Sequence, residues 1–324
     1  MIVVIRMAVF LLALVCVNST VVWAEQLRAG YAALNGSQLP LWVAKDQGIY
    51  SKHGLDVELL YLQGGSLNVQ AIVAGTVQFG AGGAGAVAAR MAGVKLLIIA
   101  NPGPFLSQDL IAKPGIKTIT DLKGKVGAVA RLGGSGEQAF RYLFRKHGLS
   151  LSDLKLIQTG ADQAKLAVLQ QGIVDYTSVG PAASQQARAQ GYTVLGTAEQ
   201  MRIPFPWTSV VVSESWLSSN RDAAYRYVKA ITEASWFIKR NREKTLQVLG
   251  KYMRISDPRL LSMEYDFNIG LIPDLPFPTV EGIRVVLENL TTSGGAAQRN
   301  PQEFIDSSIV ERIQREKFLD SLKK

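Results

Sequence analysis

The tetrapeptide Lys52-His53-Gly54-Leu55 returns as Lys146-His147-Gly148-Leu149, and Gly75-Thr76-Val77-Gln78-Phe79 returns in outline as Gly172-Ile173-Val174-Asp175-Tyr176. Between the members of each set, Gln63-Gly64-Gly65-Ser66 parallels Gln158-Thr159-Gly160-Ala161. Three matches in the same order and at nearly constant spacing favour a chain made of two like halves. The competing reading is convergence, because helix-ending glycines recur in any α/β protein.

Within each half, short apolar runs alternate with helical stretches. Residues 27–32, 56–61, 77–80 and 96–100 read as strands, with helices over 39–53, 69–74 and 86–92 between them. This alternation predicts an α/β fold in which each lobe is a mainly parallel sheet flanked by helices, with a cleft between the lobes. At 324 residues and 48% hydrophobic composition, the chain can bury a core in both. His53 and His147 are the only histidines, and each precedes a glycine at a helix end. There an imidazole can meet the last carbonyls while the glycine takes the left-handed cap, so capping is expected rather than catalysis. With so few histidines, and with Cys16 as the one cysteine, zinc sites and Ser-His-Asp or Cys-His machinery have almost nothing to draw on.

The run Arg131-Leu132-Gly133-Gly134-Ser135-Gly136 follows a strand and opens a helix. Gly134, Gly136 and Ala139 fit the G-x-G-x-x-A spacing of a dinucleotide site. A dinucleotide fold wants Asp or Glu at the end of the next strand, where Gln158 and Thr159 stand instead. No Gly-Lys-Ser/Thr follows, so a phosphate loop fails as well. What remains is a turn whose backbone N–H groups can approach a ligand at a helix N-terminus. Similar turns stand at Asn35-Gly36-Ser37-Gln38, Gly64-Gly65-Ser66 and Gly82-Gly83-Ala84 in the first half. In open α/β sheets ligands bind beyond the carboxyl ends of the strands, so such loops on two lobes would face one another. Some of these glycines can equally be making tight turns and nothing else. Arg131 reads either as a ligand-binding charge or as a surface one.

The N-terminus has its own character. Arg6 is the only charge in the first 24 residues, and Met7 to Val17 is an apolar run of signal-peptide length. Val22-Trp23-Ala24 supplies a small residue before a cut, so export with cleavage after Ala24 is expected, against a buried first helix or a membrane anchor. Val15 is a poor residue to precede a lipid-modified Cys16, which favours soluble release. The formal net charge is +9, but the basic residues are scattered. The densest cluster, Lys239-Arg240-Asn241-Arg242-Glu243-Lys244, reads as the junction of two solvated helices rather than a nucleic-acid patch.

The stretch from Pro40-Leu41-Trp42-Val43-Ala44-Lys45-Asp46-Gln47-Gly48-Ile49-Tyr50 through Gly54-Leu55-Asp56-Val57 resembles the signature of the nitrate/sulfonate/taurine group of ABC-transporter substrate-binding proteins. Asp121-Leu122-Lys123-Gly124-Lys125, Gly172-x-Val174-Asp175 and Gly75-x-Val77-Gln78-Phe79-Gly80 belong to the same pattern. The resemblance implies a two-lobed periplasmic-binding-protein type II fold that closes on a small ligand. It implies residues 25–108 as the first part of lobe I, 109–203 as lobe II, and 204–324 as a return to lobe I with the C-terminal helices. Linkers are expected near 110–113 and 204–208. In the later helix over 221–241, Ala224, Tyr227, Val228, Ile231, Ala234 and Ile238 make one apolar face.

Under this resemblance Asn35, Gly36, Ser37, Gln38, Gly64, Gly65, Ser66, Gly83 and Ala84 would contact the ligand from lobe I. Arg131, Gly133, Gly134, Ser135, Gly160, Gly180 and Trp207 would do so from lobe II and the crossing segment. Trp207 would stack on a flat ligand or fill the hinge core. The expected partners are a small anionic or polar molecule and an inner-membrane ABC permease, with a monomeric, periplasmic protein and neither cofactor nor metal. Two other roles stay open: a pyrimidine-precursor-forming enzyme of the same fold, whose cysteine-rich iron motif is absent from the sequence, and a sensor module that presents its ligand to a receptor.

Overall fold

The computed structural model describes residues 25–290 and 298–323. The expected leader and its cleavage point after Ala24 lie outside the described residues. In chain order the strands are β1 (Glu25–Tyr31), β2 (Leu55–Tyr61), β3 (Leu96–Phe105), β4 (Asp109–Ala112), β5 (Val126–Val129), β6 (Lys155–Gln158), β7 (Tyr176–Val179), β8 (Thr193–Gly196) and β9 (Pro204–Ser213).

One sheet has the order β6-β5-β7-β4-β8. In it β5 pairs in parallel with β6 and β7, while β4 runs antiparallel to β7 and β8. The other half is joined by sparser contacts. β1 and β2 pair in parallel from Glu25↔Leu55 to Tyr31↔Tyr61. Phe79 bridges in parallel to Ala29, Gly80 bridges antiparallel to Val211, and β9 pairs antiparallel with β3. The order across this half is therefore β2, β1, the Phe79–Gly80 bridges, β9, β3, which matches β6, β5, β7, β4, β8 position for position. The repeat in the sequence is a repeat of sheet order.

Each half contains one strand that opposes the rest, and in each it is the strand arriving from the other half. β4 enters at the end of the sheet where β7 finishes, pairing Asp109 with Val179, so it must run backwards. The crossings lie earlier than expected: Leu110–Ala112 belong to β4, and the chain passes over at Leu106–Gln108. The second crossing lies beside the first, with Leu106 N–H donating to Ile203 O at 3.0 Å. Pro204 opens β9, where its missing N–H removes no ladder bond from the strand interior.

Local differences from the sequence reading have simple causes. The helix expected over 39–53 is two, Leu39–Asp46 and Ile49–Lys52, broken at Gln47-Gly48. Residues 77–80 give only two bridges, because the chain turns away at Gly82 to start helix Gly83–Met91. The glycine caps are as expected, with Gly54 and Gly148 at φ +71° and +70° after His53 and His147. The His53 ring, however, turns from the last carbonyls to the Glu233 carboxylate, Nε2 to Oε2 2.8 Å.

Helix Arg221–Arg240 buries the apolar face that its period predicts, Ala224, Tyr227, Val228, Ile231, Ala234 and Ile238. It packs on helix Leu39–Asp46, and Tyr227 stacks on Phe79 with ring centroids 3.8 Å apart. Truncating one of these aliphatics, as in Ile231→Ala, would destabilise the first half by about 2–5 kcal/mol. The returning chain does not touch the first half alone. Helix Val280–Asn289 packs on helix Ser135–Lys146, where Asn289 Nδ2 donates to Gln138 O at 2.8 Å.

Candidate functional site

A cavity lies between the two sheets, at the carboxyl ends of their strands. The walls are built by equivalent turns of the two halves. The turn after β1 supplies Ala32, Ala33, Leu34, Asn35 and Gln38, and the turn after β5 supplies Ala130, Arg131, Gly134, Ser135 and Gly136. The turns after β2 and β6 supply Gln63, Gly64 and Gly65 on one side and Ala161 and Asp162 on the other. Gly82 follows the Phe79–Gly80 bridges, Ser178 lies in β7, Gln108 comes from one crossing and Trp207 from β9.

The two halves stand close together at one rim. Ser66 Oγ donates to Leu132 O at 3.3 Å, and a Cβ added to Gly64 would lie 3.1 Å from Arg131 Cβ. Beneath, Gly65 and Gly82 pack backbone to backbone: a Cβ built on Gly82, itself at φ +111°, would come within 2.4 Å of Gly65 Cα. Only residues without side chains bring these two turns so near.

Of the sixteen residues singled out from the sequence, Asn35, Gln38, Gly64, Gly65, Arg131, Gly134, Ser135 and Trp207 line this cavity. The other eight do not, each for a visible reason. Gly36 spends its N–H on Glu264 Oε2 at 2.9 Å. Ser37 is an internal link, donating to Asn35 Oδ1 at 2.7 Å and accepting from Gln38 Nε2 at 2.9 Å. Ser66 is used in the contact to Leu132. Gly83 packs against β9, where a Cβ would meet Ser209 Oγ at 2.5 Å, and Ala84 is fully buried. Gly133 donates to Glu137 Oε2 at 2.9 Å, and Gly160 backs onto Gln63, 3.1 Å from a built Cβ. Gly180 sits below the cavity, donating to Asp162 Oδ2 at 2.8 Å.

The charged groups here form two unlike sets. Arg131 has no carboxylate partner among the described residues, and its Nε is buried without any hydrogen-bond partner. Lys165, by contrast, is 2% exposed and fully engaged with protein: its Nζ lies 2.9 Å from Asp162 Oδ1 and also donates to Ser178 O. Asp162 further accepts from Gln108 Nε2 at 3.4 Å, and Gln108 accepts from Ser178 Oγ at 2.8 Å. The Asp162–Lys165 pair is neutral as a unit, which leaves Arg131 as the net charge facing the space.

Asp162, Lys165, Gln108, Ser178, Gln63 and Tyr61 were not legible as site residues. The Asp162-Gln163-Ala164-Lys165 spacing was available as an i,i+3 pair in the first turn of a helix, but such pairs are ordinarily solvated surface. Its burial depends on β7 lying across it, which is a tertiary fact. The two histidines lie elsewhere, His53 against Glu233 and His147 in a separate surface depression beside Met201.

Two sheets of matching order, joined by paired crossing strands over a shared cavity, define the periplasmic-binding-protein fold. The chain belongs to the NMT1/THI5-like family, whose model matches residues 35–244. It is 27% identical over 252 residues to a protein of Brucella abortus (strain 2308) named provisionally as a binding protein, covering 72% of this chain and 73% of that one. Its fold is similar to the periplasmic aliphatic sulphonate binding protein SsuA from Escherichia coli, with a TM-score of 0.68 at 19% identity over 87% of this chain and 92% of that one. It is also similar to the desulfurization enzyme DSZB, with a TM-score of 0.64 at 13% identity over 90% of this chain and 99% of that one.

Proposed function

We propose that this chain is an exported solute-binding protein that captures a small organic anion between its two halves and delivers it to an ABC importer in the inner membrane. The observation that carries this reading is Arg131: a guanidinium with no carboxylate partner among the described residues and an unsatisfied Nε, on the wall of a cavity whose other fixed charges cancel. Ala32, Ala33, Leu34, Val129 and Ala130 offer an apolar body site, with Trp207 and Tyr61 as aromatic surfaces and Gln63 and Gln108 as polar ones.

Capture without turnover is the reading favoured by the same walls. Among the described lining residues there is no histidine or cysteine, and Ser178 Oγ donates to an amide rather than to a base. Asp162 is engaged by three donors and is poorly placed to abstract a proton. The fold shared with DSZB keeps an enzyme as the rival.

Native mass spectrometry of the purified full-length protein should find an organic anion bound at one per chain. Arg131→Ala should weaken its binding more than tenfold, about 1.4 kcal/mol. Unchanged affinity in that variant, or conversion of the ligand to a product, would overturn the reading.

A further inference from the structure

The equivalent turns that wall the cavity do not carry equivalent groups. The turn after β5 presents Arg131, which borders Gly64 at the rim. The turn after β1 presents Asn35, which stands at the floor: a Cβ added to Gly180 would meet Asn35 Cβ at 3.4 Å, Asp162 Oδ2 at 3.2 Å and Glu264 Oε1 at 3.4 Å. The backbone plan repeats while the chemistry does not, with a cation in one half and a neutral amide in the other.

Asn35 is 4% exposed, and only one edge of its amide is spent on protein. Oδ1 accepts from Ser37 N–H at 3.2 Å and from Ser37 Oγ at 2.7 Å, which fixes the way the amide faces. Nδ2 has no partner among the described residues, and unlike Trp42 Nε1 or Gln138 Oε1 it is not sealed from the space beside it. The other two buried amides of the wall are engaged at both ends. Gln38 accepts from Ala32 N–H at 3.3 Å and donates to Ser37 Oγ and Thr208 Oγ1, while Gln108 accepts from Ser178 Oγ and donates to Asp162 Oδ1. The Asn35 turn is also held from below. Glu264, 1% exposed on helix Pro258–Ile269, accepts from Gly36 N–H at 2.9 Å on Oε2 and from Ala182 N–H at 3.0 Å on Oε1, which ties the turn to helix Pro181–Ala189 of the second half.

Building on the binding-protein reading, we propose that Asn35 is a specificity-determining residue whose Nδ2 receives a neutral hydrogen-bond acceptor, so that the ligand is a monoanion with its charge at Arg131 and an uncharged carbonyl or ether oxygen at its far end. The selection works by what each rival end group would meet. A methyl group would strip water from a buried donor and return no hydrogen bond, and a site built around such a bond rejects analogues that lack it. An ammonium would set donor against donor. A second carboxylate could accept from Nδ2, but it would lie beside the carboxyl groups of Asp162 and Glu264, while the ammonium of Lys165 is already taken by Asp162 and Ser178 O. A neutral acceptor meets the free donor without any of these penalties.

Isothermal titration calorimetry on the full-length protein, dialysed free of co-purified ligand, uses pentanoate, hexanoate and heptanoate as probes. Beside them stand the oxo acids of the same lengths with a carbonyl on the penultimate carbon, the terminal amino acids and the dicarboxylates. At the best-bound length the oxo acid should bind about tenfold tighter than the plain acid, with the amino acid and the dicarboxylate weaker than the oxo acid. Asn35→Asp keeps an oxygen for Ser37 and turns the other edge from donor to acceptor. In that variant the oxo acid should lose its advantage and the amino acid should become the tightest bound. Equal binding of oxo and plain acids by the unmodified protein, or an unchanged order in Asn35→Asp, would overturn the assignment and leave anion capture intact. A co-purified ligand that joins one negative charge to a neutral acceptor would support it, and a dianion or an anion without such an acceptor would overturn it. Binding of no probe, with nothing co-purified, would overturn both readings. The unmodified protein decides the matter even where the variant does not fold.

Discussion

Lys165→Met tests whether the cavity is organised by its buried ion pair. The lysine side chain is 3% exposed and that of Asp162 18%, with 2.9 Å between Nζ and Oδ1. At an effective dielectric constant of about 20, two unit charges at that distance attract by about 6 kcal/mol before any desolvation is counted. Desolvation of both groups offsets most of this while the pair is whole. Once the lysine is gone, Asp162 loses its neutraliser beside the buried Glu264. Ser178 O also loses a donor. Methionine preserves the apolar length of the side chain, so the expected loss of unfolding free energy, about 3–5 kcal/mol, is electrostatic in origin. Urea unfolding followed by tryptophan fluorescence and circular dichroism measures it. Asp162→Asn in the same chain should recover part of the loss, with a coupling energy of about 1–3 kcal/mol in the double-mutant cycle. A single-variant loss below about 1 kcal/mol with no coupling would refute the reasoning, since exposed pairs behave that way.

Three further outcomes follow from the same geometry. Gly82→Ala must push apart two backbones already in contact at a residue with positive φ, so it should destabilise the protein by about 1–3 kcal/mol in the same unfolding assay. Trp207 lines the cavity, so ligand entry should change the intrinsic fluorescence; Trp207→Phe should abolish most of the change, as followed by titration. Because the folded-state carboxyl of Glu264 sits near 7, above its ordinary 4.5, its stabilising contribution is complete below pH 4.5 and is lost as the pH rises through 7. Global unfolding free energy should therefore fall by up to about 3 kcal/mol from that group over this window, and denaturant titrations at several pH values should show a flatter dependence in Glu264→Gln.

How much of this could be read beforehand depended on whether a feature is local. The halves announced themselves through helix-ending glycines, because Gly54 and Gly148 answer to backbone dihedrals that a single turn dictates. The apolar stripe of Arg221–Arg240 was legible for the same reason, its period being intrinsic to the helix. Glycine clusters pointed to the right strand ends, yet they could not separate Gly65, which faces the cavity, from Gly83, which presses on β9, since the two differ only in what packs behind them. Glu264 left no trace at all. It stands among ordinary helical residues, and its role arises from two amides more than eighty and two hundred residues distant in sequence.

β4 and β9 are exchanged between the sheets, and this sets an order of assembly. All five strands of the second sheet are present once residue 196 has been made, whereas the first sheet lacks an inner strand until residue 213. A nascent chain can thus pair every strand of its later sheet while its earlier one still waits, exposed, for its missing member. Any truncation shortly after β8 would leave the second sheet without its covering helix Val280–Asn289 and the first without β9, a substrate for chaperones and proteases rather than a smaller working protein.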